Sequence, residues 1–68
     1  MIAALLRAGF THERTVGGHA VLTKPGIARP VIVPLWNELP EFIVSNNLRT
    51  AGISRKEYLV LMGKRKPR

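Results

Sequence analysis

One stretch of the chain joins a side chain able to move protons to a backbone able to approach a ligand: Gly17-Gly18-His19-Ala20-Val21-Leu22-Thr23. Histidine is the residue type whose ordinary titration falls near neutral pH, so it can take up or release a proton during a reaction. The two glycines before it permit backbone conformations closed to other residues and a close approach of backbone to ligand. His19, Val21 and Thr23 alternate with Ala20 and Leu22, which places the histidine at the start of an extended run and on one face with Val21 and Thr23. The glycines are expected either to admit a ligand backbone at a sheet edge or to form a β-bulge.

Other chemistries are excluded by what is missing. The chain has no aspartate, and Glu13, Glu38, Glu41 and Glu57 are scattered, so the clustered carboxylates of two-metal phosphoryl chemistry are not there. It has no cysteine, hence no thiolate nucleophile, disulfide or thiolate metal site, which fits a reducing cytoplasm. His12 has no second ligand nearby and is expected to be an exposed histidine rather than a metal ligand. No cofactor is expected. The apolar run Met1–Leu6 is too short for a secretory signal or a membrane span, so the expectation is a cytoplasmic protein without a membrane partner.

Charge points to the partner. Eleven Lys and Arg against four acidic residues give +7 over 68 residues, a field that favours polyanions, with nucleic acid ahead of acidic proteins or anionic membranes. Without the basic tail Lys64-Arg65-Lys66-Pro67-Arg68, seven cations still face four glutamates, a net +3. Arg14 and Lys24 flank the two strands around His19 and are candidate phosphate contacts, as is Arg29; Arg49, Arg55, Lys56 and the basic tail are expected to contact phosphate without taking part in chemistry.

The elements that must position these residues follow from the pattern. Residues 2–8 are Ala/Leu-rich and helical, with Gly9 past the helix end and Phe10 anchoring the exit. Thr11–Val16 and His19–Thr23 read as strands, Lys24-Pro25-Gly26 as a turn, and Pro30-Val31-Ile32-Val33-Pro34 as a third strand bracketed by prolines. A second helix runs from about Pro40 to Ala51 and ends at Gly52; its apolar stripe is interrupted by Asn47, which needs a hydrogen-bond partner if buried. Ser54-Arg55-Lys56-Glu57 is a capping box for a third helix, with Ile53 and Tyr58 spaced as a hydrophobic staple and Gly63 as the stop. Trp36, the sole tryptophan, is expected in the core rather than stacked on a base. The sum is one domain, residues 1–63, with a basic tail at 64–68. Its fold class is α+β: a three-stranded antiparallel sheet packed on helices in two layers, in α-β-β-β-α-α order. At this length it buries only about 60% of its unfolded surface.

With those elements in place, Arg14-Thr15-Val16-Gly17-Gly18-His19, Val31-Ile32-Val33-Pro34 and Leu48-Arg49-Thr50-Ala51-Gly52-Ile53-Ser54, together with the opening helix-Gly-Phe, resemble the HicA toxins, over about Leu5 to Leu61. The resemblance implies a fold like the double-stranded-RNA-binding domains, cleavage of mRNA, and a HicB-like antitoxin partner. It assigns the catalytic histidine to His19. The sequence departs from the family pattern where Gly18 replaces the motif serine, where Ala20 follows the histidine, and where Trp36 and Asn47 stand in place of a histidine and an aliphatic residue.

RNA carries its own nucleophile, the 2′-hydroxyl, so a minimal ribonuclease needs only a base and positive charge around the phosphate. His19 can supply the first, and Arg14, Lys24 and Arg29 the second, with Gly17 and Gly18 allowing the RNA to come close. Two other classes stay open: an RNA-binding module of the same fold that does not cleave, and a small basic accessory protein whose partner is another protein.

Overall fold

The chain runs α1 (Ile2–Arg7), β1 (Thr11–Val16), β2 (His19–Thr23), β3 (Val31–Pro34), α2 (Glu41–Ala51) and α3 (Arg55–Leu61). The structure is a computed structural model that describes residues 1–63; the basic segment 64–68 lies outside the described residues. The strands form one antiparallel sheet in the order β1-β2-β3. Helices pack on one face of this open sheet, giving the expected two-layer α+β arrangement, consistent with the double-stranded-RNA-binding-domain-like fold.

Helices this short do not persist alone, so packing and end caps must hold them. The six residues of α1 bury Ala4 and Leu5 completely. At its end the Phe10 N–H donates to the Leu5 carbonyl (2.9 Å) and the Gly9 N–H to the Leu6 carbonyl (3.0 Å), the two bonds of a Schellman stop. The end of α2 repeats this: Ile53 donates to the Leu48 carbonyl (3.0 Å) and Gly52 to the Arg49 carbonyl (3.2 Å). In both cases the apolar residue after the glycine, Phe10 or Ile53, is buried in the core with the residue it bonds. At the start of α3 the Ser54 hydroxyl accepts from the Glu57 N–H at 3.0 Å, as the capping box requires. Three further bonds tie the helices together. Arg7 donates to the Leu61 carbonyl, joining α1 to α3, and Arg55 pairs with Glu41 and Ser45, joining α3 to α2.

Alternation along the strands decides the core. Ala20 and Leu22 of β2 stand opposite Val33 and Val31 of β3, and all four are at most 2% exposed. They pack with Leu5, Phe10, Leu48, Ala51 and Ile53. Strand β1 is exposed along its whole length, so it overhangs the helical layer.

The awkward Asn47 finds its partner at the other edge. Its Nδ2 donates to the Ile32 carbonyl at 3.0 Å and lies 3.5 Å from the Met1 sulfur. Leu35 N–H donates to the Gly18 carbonyl (2.9 Å), which sets the ladder parity and makes Val21–Ile32 a non-hydrogen-bonded pair. The Ile32 carbonyl therefore faces away from β2, and α2 satisfies it with a side-chain amide while covering the edge of β3. By the same parity Pro34, opposite His19, gives up no ladder bond for its missing N–H.

Candidate active site on the open sheet face

His19 owes its position to a two-residue hairpin. Val16 pairs with His19 across Gly17 (φ 57°) and Gly18 (φ 78°), both left-handed, as a type I′ turn demands. The glycines thus do not form the expected β-bulge. The β-bulge lies instead in β1, between His12 and Arg14, where Glu13 is the extra residue. A Cβ added at Gly17 or Gly18 meets nothing within 4 Å, so backbone conformation, not crowding, selects glycine here. Gly17→Val should therefore lower stability by about 1–2 kcal/mol, while Gly17→Asn, a residue that tolerates this conformation, should be nearly neutral. Thermal unfolding followed by circular dichroism distinguishes them, at about 4–8 °C per kcal/mol for a domain of this size.

The sheet face turned away from the helices is a small grid, because directly opposed residues share a face. One row is Val16–His19–Pro34, the next Arg14–Val21–Ile32, and the last Thr11–Thr23. Val21 lies on this uncovered face yet is only 7% exposed, since it is the middle residue of the central strand. Glu13 reaches the far row, where its carboxylate accepts from the Thr23 hydroxyl at 2.9 Å.

The imidazole of His19 is oriented by the turn that precedes it: Nδ1 lies 3.0 Å from the Gly17 carbonyl oxygen. A carbonyl only accepts, so Nδ1 carries the proton and the neutral ring keeps its lone pair on Nε2. The same bond persists if Nε2 takes up a proton. A base held by a third group in this way is the arrangement general-base catalysis needs. Gly17, expected as a point of close approach, serves through its carbonyl, a role that residue types alone do not reveal. His12 is exposed and engaged with the Thr15 hydroxyl at 2.9 Å; it pairs with Leu22 and so projects from the opposite side of the sheet to His19. Among the described residues no group of three His, Asp or Glu comes together that could hold a metal ion, and no helix is long and apolar enough to cross a membrane.

The fold separates the expected cations. Arg14 is a diagonal neighbour of His19 on the open face, with Cβ atoms about 7–8 Å apart, within reach of an arginine side chain. It is exposed and forms no ion pair among the described residues. Lys24 stands five residues from His19 along the chain, about 17 Å if extended. Its ammonium lies 5.6 Å from the centre of the Phe10 ring, where a cation–π contact holds it. Arg29 lies in the β2–β3 loop, at the other end of β2 and β3 from His19, and Arg49 and Lys56 lie on the helices. Trp36 is not a core residue: it is 54% exposed, because β3 ends at Pro34 and the loop that follows leaves the indole at the surface.

A comparison with protein families gives one match. The family described as the HicA toxin of bacterial toxin–antitoxin systems matches residues 1–53 of the 68. The chain belongs to the HicA toxin family. It is by that membership a toxin of a toxin–antitoxin system, and HicA toxins pair with HicB antitoxins in type II systems. The matched stretch contains α1, the whole sheet and α2, and it ends at Ile53, before α3. No curated protein and no solved structure matches the chain.

Proposed function

We propose that this HicA toxin is an endoribonuclease acting on mRNA in the cytoplasm, with His19 as general base and Arg14 as the phosphate-holding cation. The observation that carries the reading is the Nδ1 bond from His19 to the Gly17 carbonyl (3.0 Å), which leaves Nε2 free to accept a proton on an uncovered sheet face. In the step proposed, Nε2 removes the proton of an RNA 2′-hydroxyl. The 2′-oxygen attacks the adjacent phosphorus, the P–O5′ bond breaks, and the proton passes from His19 to the leaving 5′-oxygen. The products are a 2′,3′-cyclic phosphate and a 5′-hydroxyl, with no water consumed and no metal ligand set required. Arg14 neutralises charge building on the non-bridging oxygens. A HicB-like antitoxin covering the open face would block both groups.

The test is cleavage of a mixed-sequence RNA by the purified toxin with and without EDTA, followed by analysis of the new 3′ ends. Cleavage insensitive to EDTA that leaves cyclic phosphate is the expected result. An RNA that is bound but stays intact would assign the protein to the non-cleaving RNA-binding class instead. Arg14→Ala should reduce kcat/KM by about 10- to 100-fold, from the lost charge-assisted contact of about 1.5–3 kcal/mol. Lys24→Ala should change it little beyond a shallower salt dependence of binding. Parallel kinetics of the two variants separate a phosphate held at the reacting centre from general attraction.

A further inference from the structure

Past the end of β3 lies a groove of about 450 Å³, bordered by Ile2, Leu35, Trp36, Asn37, Tyr58 and Met62. Its walls are mixed but more apolar than polar, and at its rim the chain's sole tryptophan is 54% exposed, beside the exposed amide of Asn37. Tyr58 is half-buried, and burial pushes its phenol up, so it presents a neutral hydroxyl. An indole face next to an amide is the pair of groups that recognises an unpaired nucleobase, one by stacking and the other by hydrogen bonds to the base edge.

The groove opens on the helix side at the end of β3, around the strand end from the face that carries His19. His19 pairs with Pro34, the Gly18 carbonyl accepts from Leu35 N–H at 2.9 Å, and Trp36 follows. Trp36 therefore stands two residues, about 7 Å of extended chain, beyond the residue opposite His19. A strand drawn in by the net positive charge, with a phosphate at His19, meets the indole with a neighbouring base by passing round the end of β3.

We infer that Trp36 is a stacking platform for an unpaired nucleobase flanking the scissile phosphate, with the Asn37 amide reading that base's edge. The inference rests on the ribonuclease reading of His19 and adds to it a residue that sets which sequences are cut.

The experiment uses the full chain carrying His19→Ala, so that RNA is bound without being cleaved, and follows intrinsic tryptophan fluorescence, which reports Trp36 alone. The probes are an unstructured ten-nucleotide RNA of mixed sequence and the same backbone made abasic. Binding is measured independently by anisotropy of end-labelled RNA. The expected result is saturable quenching by the RNA but not by the abasic strand. Trp36→Ala should weaken binding by about 5-fold or more, and Trp36→Phe should restore most of the loss. Circular dichroism checks that each variant is folded. RNA binding with unchanged fluorescence and equal affinity for Trp36→Ala overturns the stacking site while leaving the ribonuclease reading intact. Equal quenching by the abasic strand overturns it too, since charge alone then explains the signal. Absence of RNA binding by the wild type and the His19→Ala protein alike overturns both readings. A fluorescence response to the antitoxin but not to RNA makes the groove a protein-docking surface and rejects the proposal.

Discussion

His19→Ala is expected to lower RNA cleavage by about 10²- to 10⁴-fold, the range a positioned general acid–base contributes. The fold should be untouched. His19 is half-buried at the start of β2, and among the described residues its side chain bonds only the Gly17 carbonyl of its own hairpin. The turn itself is specified by Gly17 and Gly18, so alanine removes the base without removing what positions it. The loss should appear in kcat with little change in KM, because phosphate binding rests with Arg14 and the overall charge. A His19→Ala protein that is folded, binds RNA and still cleaves at the wild-type rate would sink the assignment of His19. In cells the same variant should no longer arrest growth when expressed without antitoxin. His12→Ala should remain fully toxic, since His12 projects from the other side of the sheet and bonds Thr15.

The second large effect is on stability. Leu22 is fully buried in the central strand, opposite Val31 and within the cluster of Leu5, Phe10 and Ile53. Leu22→Ala should cost about 2–5 kcal/mol. A chain of this length has only about 3–10 kcal/mol in total, at roughly 0.05–0.15 kcal/mol per residue. Much or all of the folded population is therefore at risk. Ile32→Ala, on the uncovered face of the neighbouring strand and 40% exposed, should cost about 1 kcal/mol or less. Urea titration of the two variants measures the asymmetry between the faces of one sheet. Equal losses would mean that the open face is covered in solution, and the site described on it would then be occluded. Loss of activity in Leu22→Ala differs from loss in His19→Ala because only the first abolishes the folded circular-dichroism signal.

Much of this architecture was legible from local pattern. Alternation from His19 to Thr23 separated Ala20 and Leu22, which are in the core, from His19 and Thr23, which are not. The Ser54 capping box and the glycine stops of α1 and α2 appear where residue types placed them, because caps depend only on neighbours within one helical turn. The Gly-Gly pair was visible but its use was not. A bulge and a type I′ turn both call for glycine, and only the Val16–His19 pairing decides between them.

The sequence by itself determined the element order, the inward face of β2, the histidine at the head of that strand and the family motifs. These are set by residues within a few positions of one another, so chain connectivity alone enforces them. Tertiary structure decided the rest. Which cation stands near His19 depends on strand register, and the two-residue turn that pairs Val16 with His19, and so Arg14 with Val21, brings Arg14 rather than Lys24 beside it. Trp36 is left exposed in the loop after β3, and Asn47 is satisfied by a carbonyl 15 residues away on β3. Such contacts join residues far apart in the chain, and the free energy that fixes them is that of burying the Leu5–Leu22–Ile53 core as a whole.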